Sequence, residues 1–388
     1  MFRVTQFMKE IVAPTALAPK REPPGPVVIW NLIRRCNLNC MHCYSLSADV
    51  DFKGELSTKE VFAVMDDLRR FGVPALILSG GEPLLRPDIF AITRRAGEMG
   101  FYVALSTNGT LIGPSNIDAI AEAGYGYVGI SLDGIDETHD YFRRHEGAYQ
   151  ASLAALKLCR DRGIKVGVRF TPTMGNARAL PALLQLIEDE GIERFYLSHL
   201  NYAGRGDTNR GSDAHHEIVR WMMDILFDAC WTAVSQGRAN DYVTGNNDAD
   251  GAYLLHWTWV RRHFPTRIEH LRAKLAQWGG NSSGINVANI DNLGNVHPDT
   301  FWSHHTLGNV RARPFSEIWT DVSDPILAGL KRRPRSIKGR CARCRHFAIC
   351  GGNTRIRALK LTGDPWAEDP GCYLTDAEIG VSDVAAAE

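Results

Sequence analysis

Residues 27–44, VVIWNLIRRCNLNCMHCY, hold the first predicted strand of this chain and its first cysteine group. The β-branched run Val27–Leu32 is typical of a buried strand, and a loop with Cys36, Cys40 and Cys43 follows it directly. Three thiolates can hold three irons of a cubane and leave the fourth iron open to an exchangeable ligand, which is a catalytic arrangement. The spacing alone leaves a zinc knuckle lacking one ligand, or three unrelated thiols, as alternatives.

Downstream of this loop, short β-branched runs alternate with helix-period segments. Ser57 and Glu60 form a capping box, and Gly72 is placed to end the helix that follows it. Alternation of this kind predicts a parallel sheet with right-handed crossovers. Six units are too few for an eight-stranded barrel, so we predict an α/β fold, a partial TIM-like (β/α)6 barrel with functional loops at the carboxyl ends of its strands. The predicted strands are Val27–Leu32, Ala75–Ser79, Tyr102–Ser106, Tyr127–Leu132, Val166–Thr171 and Arg194–Leu200.

The rest of the chain follows other patterns. Residues 213–275 predict two amphipathic helices joined by the polar segment 241–250, and residues 285–310 predict a hairpin. Residues 331–372 are rich in Arg and Cys, as expected of a small cluster-bound domain. We therefore predict four parts: an N-terminal extension (1–24), a barrel (25–210), a helical connection (211–280) and a small C-terminal iron-sulfur domain with its tail (281–388).

Composition narrows the class of protein. The chain has 388 residues with 44 basic and 44 acidic side chains, so net charge gives no case for nucleic acid or a membrane as partner. No apolar run approaches the ~18 residues that span a bilayer. Glu10 and Pro14 interrupt the N-terminal apolar stretch, which argues against a signal peptide. The odd total of nine cysteines and the short CxxC spacings favour metal or cluster ligation in a reducing cytoplasm over disulfides.

A second cysteine group lies near the carboxyl end of the chain. Four thiolates are a closed ligand set, and they suit a four-iron cluster or a zinc ion. The remaining two cysteines, Cys159 and Cys230, stand alone in helical segments and are expected to be small buried hydrophobes. The members of the second group are Cys341, Cys344, Cys350 and Cys372.

The Cx3CxxC spacing of the first group resembles the signature of the radical S-adenosylmethionine (SAM) superfamily. Further motifs of that superfamily follow in order at successive strand ends, namely SGGEP at 79–83, STNG at 106–109, SLDG at 131–134 and HDYFR at 139–143. The resemblance implies a SAM-cleaving 4Fe-4S cluster on the three cysteines, and a 5′-deoxyadenosyl radical that takes a hydrogen atom from the substrate. The implied SAM contacts are His42, Gly80, Gly81, Glu82, Asn108, Ser131, Asp133 and Arg143.

Individual roles follow from the same resemblance. The glycines of SGGEP let the backbone approach SAM, and Ser131 and Asp133 meet its ribose hydroxyls. Arg143 is the implied partner of the SAM carboxylate, a charge-assisted contact. His42 stands where the superfamily usually has an aromatic residue.

The second cysteine group resembles the SPASM extension of this superfamily, in which Cx2Cx5C and a distant cysteine hold an auxiliary 4Fe-4S cluster. A full SPASM domain has another auxiliary cluster, with ligands on the preceding hairpin and three residues after Cx2Cx5C. Here Asp299 and Thr354 occupy those positions. The resemblance therefore implies two 4Fe-4S clusters and SAM as cofactors, and we expect the lost cluster to leave vacant space lined by residues 284–310.

Longer stretches resemble the NirJ family of heme d1 biosynthesis. They are 196–206, 242–250, 296–302, 351–355 and 363–372. The resemblance implies a cytoplasmic oxidoreductase or lyase that removes or oxidises two propionate side chains of the iron tetrapyrrole didecarboxysiroheme. It also implies a reductase, a flavodoxin or a ferredoxin as electron donor.

Substrate residues and alternative functions stay open at this point. The histidines His199, His297, His304 and His305 are candidate axial ligands of the substrate iron, each also compatible with a structural role, and no catalytic side chain is indicated. The eight basic residues of 331–345 are expected to be mostly solvated. The alternatives are a related tetrapyrrole decarboxylase of the heme-synthase or siroheme branch, a SPASM peptide-modifying enzyme, and a non-catalytic iron-sulfur electron carrier. An electron carrier would not need SAM-contact motifs on strand ends.

Overall fold

A computed structural model describes residues 1–18 and 25–381 of the chain. Residues 19–24 of the predicted N-terminal extension and 382–388 of the predicted tail lie outside the described residues. The strands are β1 (Val27–Asn31), β2 (Ala75–Ser79), β3 (Tyr102–Thr107), β4 (Tyr127–Ser131), β5 (Val166–Phe170), β6 (Arg194–Ser198), β7 (Asp241–Gly245), β8 (Val287–Ile290), β9 (Asn295–His297) and β10 (Gly308–Asn309).

These strands form one sheet in the order β10-β9-β8-β1-β2-β3-β4-β5-β6-β7. All six predicted strands are present and pair in parallel with their neighbours in sequence. The sheet ends at β7 on one side and β10 on the other, so the barrel stays open. The prediction of a partial α/β barrel is confirmed.

The sheet extends beyond the six predicted strands on both sides. The segment predicted as a polar connection between two helices instead begins with β7, which pairs in parallel with β6. That prediction was wrong because Tyr242, Val243 and Thr244 are buried in the sheet, although their neighbours in sequence are polar. On the other side β8 pairs in parallel with β1, and β8 and β9 form the predicted antiparallel hairpin.

Helices cover the outer face of the sheet. Successive side chains of a strand point to opposite faces, and the outer positions, such as Val28 and Trp30 of β1, are fully buried. The helices are α1 (Val4–Val12), α2 (Thr58–Arg70), α3 (Ile89–Glu98), α4 (Ile117–Ala123), α5 (Glu137–Arg143), α6 (Ala148–Asp161), α7 (Leu180–Asp189), α8 (Arg205–Thr208), α9 (His216–Ser235), α10 (Ala249–Leu254), α11 (Thr258–His263), α12 (Ile268–Trp278), α13 (Phe315–Thr320), α14 (Pro325–Lys331), α15 (Phe347–Cys350), α16 (Arg355–Thr362) and α17 (Asp376–Ile379).

Local sequence signals place several of these helices. The predicted capping box is present at Ser57, whose side chain accepts from the backbone N–H of Glu60, and α2 begins at the next residue. Gly72 adopts a left-handed conformation (φ 86°) just beyond the end of α2. Within the described residues, no helix combines the length and the apolar character that crossing a membrane requires.

Candidate active site and cysteine clusters

A cavity lined by the three cysteines and by side chains of the sequence motifs opens where the parallel strands end. It is called the main cavity below. Since strand residues alternate between faces, small polar side chains point inward at this edge while the outer positions fill the core. The Ser and Thr side chains that line the cavity at the ends of β2 to β6 are Ser79, Ser106, Thr107, Ser131, Thr171 and Ser198.

Cys36, Cys40 and Cys43 line this same cavity, and the first two are buried. Burial raises the pKa of the Cys36 thiol to about 12. Burial also raises the pKa of Cys40, although Arg143 donates to its Sγ at 3.4 Å and opposes the shift. Burial opposes ionisation of Cys43 as well, but hydrogen bonds from Ser45 and from the Ser47 backbone lower its pKa below the usual value. A bound iron cluster would favour the thiolate form of all three side chains, so they fit such a cluster.

The SGGEP loop contacts the cysteine loop closely. The backbone N–H of Gly81 donates to the Ile33 carbonyl at 2.6 Å, and that of Glu82 donates to the Arg35 carbonyl at 2.9 Å. A Cβ atom at Gly80 would collide with the Ile33 carbonyl oxygen, and one at Gly81 would collide with that of Arg35. Both glycines line the cavity, but the contact that requires glycine is the one with the cysteine loop.

Glu82 lies behind the cavity and not in its wall. Its side chain is 0% exposed and accepts hydrogen bonds from Thr107 Oγ1 at 2.8 Å and from the backbone N–H groups of Asn108 (2.8 Å) and Leu84 (3.1 Å). Burial raises its pKa to about 7 against these hydrogen bonds. Glu82 therefore joins the SGGEP loop to the STNG loop, whereas Asn108 lines the cavity and donates to Asn37 Oδ1 at 3.0 Å.

The SLDG and HDYFR motifs meet at a buried ion pair. Asp133 is 0% exposed, pairs with Arg143 and accepts from the backbone N–H of Thr171 at 2.7 Å. Ser131 and Arg143 line the cavity, while Asp133 lies behind them. Asp133 is thus placed to hold the guanidinium of Arg143, and Ser131 alone of the SLDG motif faces the cavity.

His42 lines the cavity with its ring stacked on Phe142, at a centroid distance of 4.7 Å and an interplanar angle of 27°. Burial lowers its pKa well below the usual range, helped by the charge of Arg143. The buried, stacked ring packs as an aromatic residue would.

Of the four candidate substrate histidines, the structure places only His199 beside the cysteine loop. It lines the cavity, and its Nε2 lies 3.0 Å from Asp250 Oδ2. His297 is 1% exposed, donates from Nδ1 to the His305 carbonyl at 2.8 Å, and has Nε2 3.4 Å from Asp291. Both of its ring nitrogens are therefore occupied.

The other two histidines also lie away from the main cavity. His305 contacts Asp324 through Nε2 at 2.9 Å, and the exposed His304 stacks on Trp302. From the hairpin region, the side chains that reach the cavity are Thr300 and Phe301.

The second cysteine group lines a small cavity of its own. All four members line it, together with His346 and Phe347. Burial raises the pKa of Cys372 to about 12 and that of Cys350 well above its usual range, with further rises from the neighbouring cysteines. The four cysteines therefore line one common space.

The space where we expected a lost cluster is filled. Arg335 is 3% exposed and donates to the Ser283 carbonyl at 3.1 Å and to Asn281 Oδ1 at 3.0 Å. Ser283 in turn donates to Asp299, which is also buried. The expectation of vacant space was wrong, since this arginine lies near Asp299 and donates to the carbonyl of Asn353, the residue before Thr354. It is also one basic residue of 331–345 that is not solvated.

Several residues that were not identified from the sequence connect the barrel to the region of the second cysteine group. Arg357 is 1% exposed, pairs with Asp369 at 2.8 Å and donates to the Asn246 carbonyl at 2.8 Å. Asn247 donates to the Gly371 carbonyl at 2.8 Å. The run of two asparagines and two aspartates at 246–250, just after β7, was the available signal, because such residues bind backbone groups in tight turns.

The fold and the site define a class of protein. Residues 30–187 match the Radical SAM superfamily, and the chain belongs to it. It is 56% identical over 384 residues to the pre-heme d1 synthase of Dinoroseobacter shibae, and the aligned segment covers 98% of this chain and 94% of that protein. It is also 44% identical over 370 residues to the Fe-coproporphyrin III synthase of Methanosarcina barkeri, spanning 95% of this chain and 92% of the relative.

Solved structures share the fold. SuiB of Streptococcus suis, in complex with its precursor peptide SuiA, matches with a TM-score of 0.71 over 91% of this chain and 76% of the SuiB chain. Sequence identity to SuiB is 18%, so this likeness concerns the fold alone.

Proposed function

We propose that this protein is a radical SAM enzyme of heme d1 biosynthesis, acting on didecarboxysiroheme to remove or oxidise two propionate side chains. The observation that carries the proposal is the 56% identity to a pre-heme d1 synthase over nearly the whole length of both chains. The three cysteines and the SAM-motif side chains that share one cavity support the same reaction class. When bound, the cluster and SAM supply a 5′-deoxyadenosyl radical that abstracts hydrogen from the substrate.

In this proposal the chain's own residues bind and orient. Cys36, Cys40 and Cys43 hold the cluster, and Arg143 binds the SAM carboxylate while Asp133 fixes its guanidinium. Glu82 keeps two SAM-contact loops in register through its three hydrogen bonds.

The first test removes one thiol at a time. Cys36→Ala, Cys40→Ala and Cys43→Ala should each abolish reductive SAM cleavage, because each removes one ligand of the cluster with an open iron. The measurement is 5′-deoxyadenosine formed after dithionite reduction under anaerobic conditions. Cys159→Ala, a buried cysteine of α6, is the matched control and should keep wild-type yield. Wild-type yield from any variant of the first three would contradict the assignment.

We further propose that Cys341, Cys344, Cys350 and Cys372 hold an auxiliary 4Fe-4S cluster. Their convergence on one cavity supports this proposal. The double change Cys341→Ala and Cys344→Ala should lower iron in the reconstituted protein from about eight to about four per chain, while SAM cleavage persists. Stoichiometric zinc in the native protein, with iron unchanged in the variant, would refute the auxiliary cluster.

The substrate is tested by anaerobic turnover with a reductase, flavodoxin or ferredoxin as the proposed electron donor. Mass spectrometry should show that two propionate side chains of didecarboxysiroheme have been removed or oxidised. The 44% identity to Fe-coproporphyrin III synthase favours a second candidate, an enzyme that forms iron-coproporphyrin III. Formation of that product, with propionates intact, would replace the proposed reaction by this one.

A further inference from the structure

Arg169 is a charged side chain of the main cavity that has no carboxylate partner among the described residues. It lies on the inner face of β5, half-buried, and lines the cavity. Its guanidinium contacts Ser106 Oγ and lies 5.5 Å from the centroid of the Tyr196 ring. Because Ser106 belongs to β3 and Tyr196 to β6, the side chain reaches across the inside of the barrel.

Two other arginines nearby, unlike Arg169, each have a carboxylate partner. Arg143 is paired with Asp133, and Arg194 lies 3.5 Å from Asp241. A guanidinium stays charged in proteins, and the nearby carboxylate of Asp133 is paired with Arg143, so the lost hydration of Arg169 is only partly compensated. An anionic group bound in the cavity would supply that compensation.

The sheet is also shaped to admit this side chain. Arg169 lies opposite Ser131 in the β4–β5 register. Position 129, two residues earlier on β4, is glycine, and a Cβ there would lie 3.0 Å from Arg169 Cδ. The hydroxyl groups of Ser106 and Ser131 flank the cavity beside it, which adds neutral hydrogen-bond donors for an anion.

We propose that Arg169 binds a carboxylate of the tetrapyrrole substrate and so orients one reacting propionate inside the barrel. This inference rests on the proposed function and on the assignment of the SAM carboxylate to Arg143. A planar guanidinium suits bidentate recognition of a carboxylate, and the substrate's side chains carry several of them. Arg169 then determines specificity, because it favours tetrapyrroles whose propionates are free acids.

The test compares Arg169→Gln with Arg194→Gln in the holoenzyme. The control arginine lies on the adjacent strand and stacks on Tyr127 as Arg169 stacks on Tyr196, but it has its own carboxylate partner and lines a different pocket. Soret titration with didecarboxysiroheme should show affinity at least about tenfold weaker for Arg169→Gln, and unchanged for the control. Wild-type protein should also bind the methyl ester of this tetrapyrrole at least about tenfold more weakly than the free acid, and Arg169→Gln should lose that preference.

Two further measurements keep the proposal falsifiable. Iron content should match wild type in Arg169→Gln, SAM cleavage without substrate should match wild type in the control Arg194→Gln, and Arg169→Lys should recover part of the tetrapyrrole affinity. Tetrapyrrole affinity equal to wild type, or weakened SAM binding with an unchanged ester preference, would overturn the role of Arg169 while leaving the proposed function in place. Failure of the wild-type protein to bind any iron tetrapyrrole would overturn both.

Discussion

Arg335 is a buried cation between the β8–β9 hairpin and the second cysteine group. Its guanidinium donates to the backbone carbonyls of Leu330 at 3.1 Å and Ser283 at 3.1 Å, and to Asn281 Oδ1 at 3.0 Å. Buried carbonyl groups that lose their donors cost free energy, and the nearby carboxylates of Asp248 and Asp299 would lose a balancing charge.

We expect Arg335→Met to lower the free energy of unfolding by about 3 kcal/mol, since it leaves buried acceptors and carboxylates without a partner. Arg332→Met, at an exposed arginine of the same segment, is the control and should change stability by less than about 0.5 kcal/mol. Denaturant unfolding under anaerobic conditions measures both. Equal stability of the two variants would show that Arg335 does not support this region.

At the scale of single elements, α1 is a structural helix of the barrel. Phe2, Phe7, Met8 and Ile11 are buried in the main core, and Phe2 pairs with Thr244 at the free edge of β7. The apolar N-terminal stretch thus covers an edge strand, which otherwise leaves unpaired backbone groups.

The end of α1 is tied to α12 by a buried carboxylate. Glu10 accepts from the backbone N–H of Thr15 at 2.8 Å, from Thr15 Oγ1 at 2.6 Å and from His270 at 2.9 Å, and lies 3.3 Å from Lys274. Burial would raise the pKa of Glu10, but these hydrogen bonds outweigh burial and lower it to about 2 from its ordinary 4.5.

Glu10→Gln should therefore lower the free energy of unfolding at pH 7 by about 2 kcal/mol. A depressed folded-state pKa stabilises the protein fully above the unfolded value of 4.5, and this stabilisation is lost as pH falls toward 2. The difference between wild type and variant should be constant from pH 8 to pH 6 and smaller by about 1 kcal/mol at pH 4. Thermal unfolding across this range checks it, and a difference independent of pH would contradict the role of the Glu10 charge.

For the whole molecule, the contact between barrel and second cysteine region depends on buried polar groups. Asn353 Oδ1 accepts from the backbone N–H of Asp248 at 2.8 Å, and Asn353 Nδ2 donates to Asn247. Tyr373 donates to Asp250 Oδ1 at 2.7 Å, while the other oxygen of Asp250 contacts His199. Tyr373, the residue after Cys372, is thereby linked through Asp250 to His199 in the wall of the main cavity.

We expect Asp369→Asn to loosen this contact, because it leaves the buried guanidinium of Arg357 without its charged partner, a loss of about 3–5 kcal/mol. Limited proteolysis within residues 340–381 should become faster, and iron should fall toward about four per chain while SAM cleavage persists. Asp364→Asn, in the exposed pair with Lys338, is the control and should leave both readouts unchanged. Unchanged iron and proteolysis in Asp369→Asn would contradict a docking role for the Arg357 pair.

Local patterns in the sequence were sufficient to predict the six barrel strands and the cap of α2, and to identify the two cysteine groups. These features depend on spacings of two to about nine residues or on motifs that directly follow a strand, so they are visible without knowing what lies nearby in space. The ligand role of Cys372, the most distant member of the second group, was implied by resemblance to a known family and stays a prediction.

Tertiary structure determines which residues that are far apart in sequence contact each other. The polar segment at Asp241 becomes a strand because the edge of β6 and the N-terminal residues of the chain supply its hydrogen-bond partners. Likewise, Arg335 is buried while Arg332 is exposed, and His199 meets Asp250 and the cavity while His297 does not. No local pattern separates these cases, since burial and partners of a polar side chain are set by residues far away in sequence.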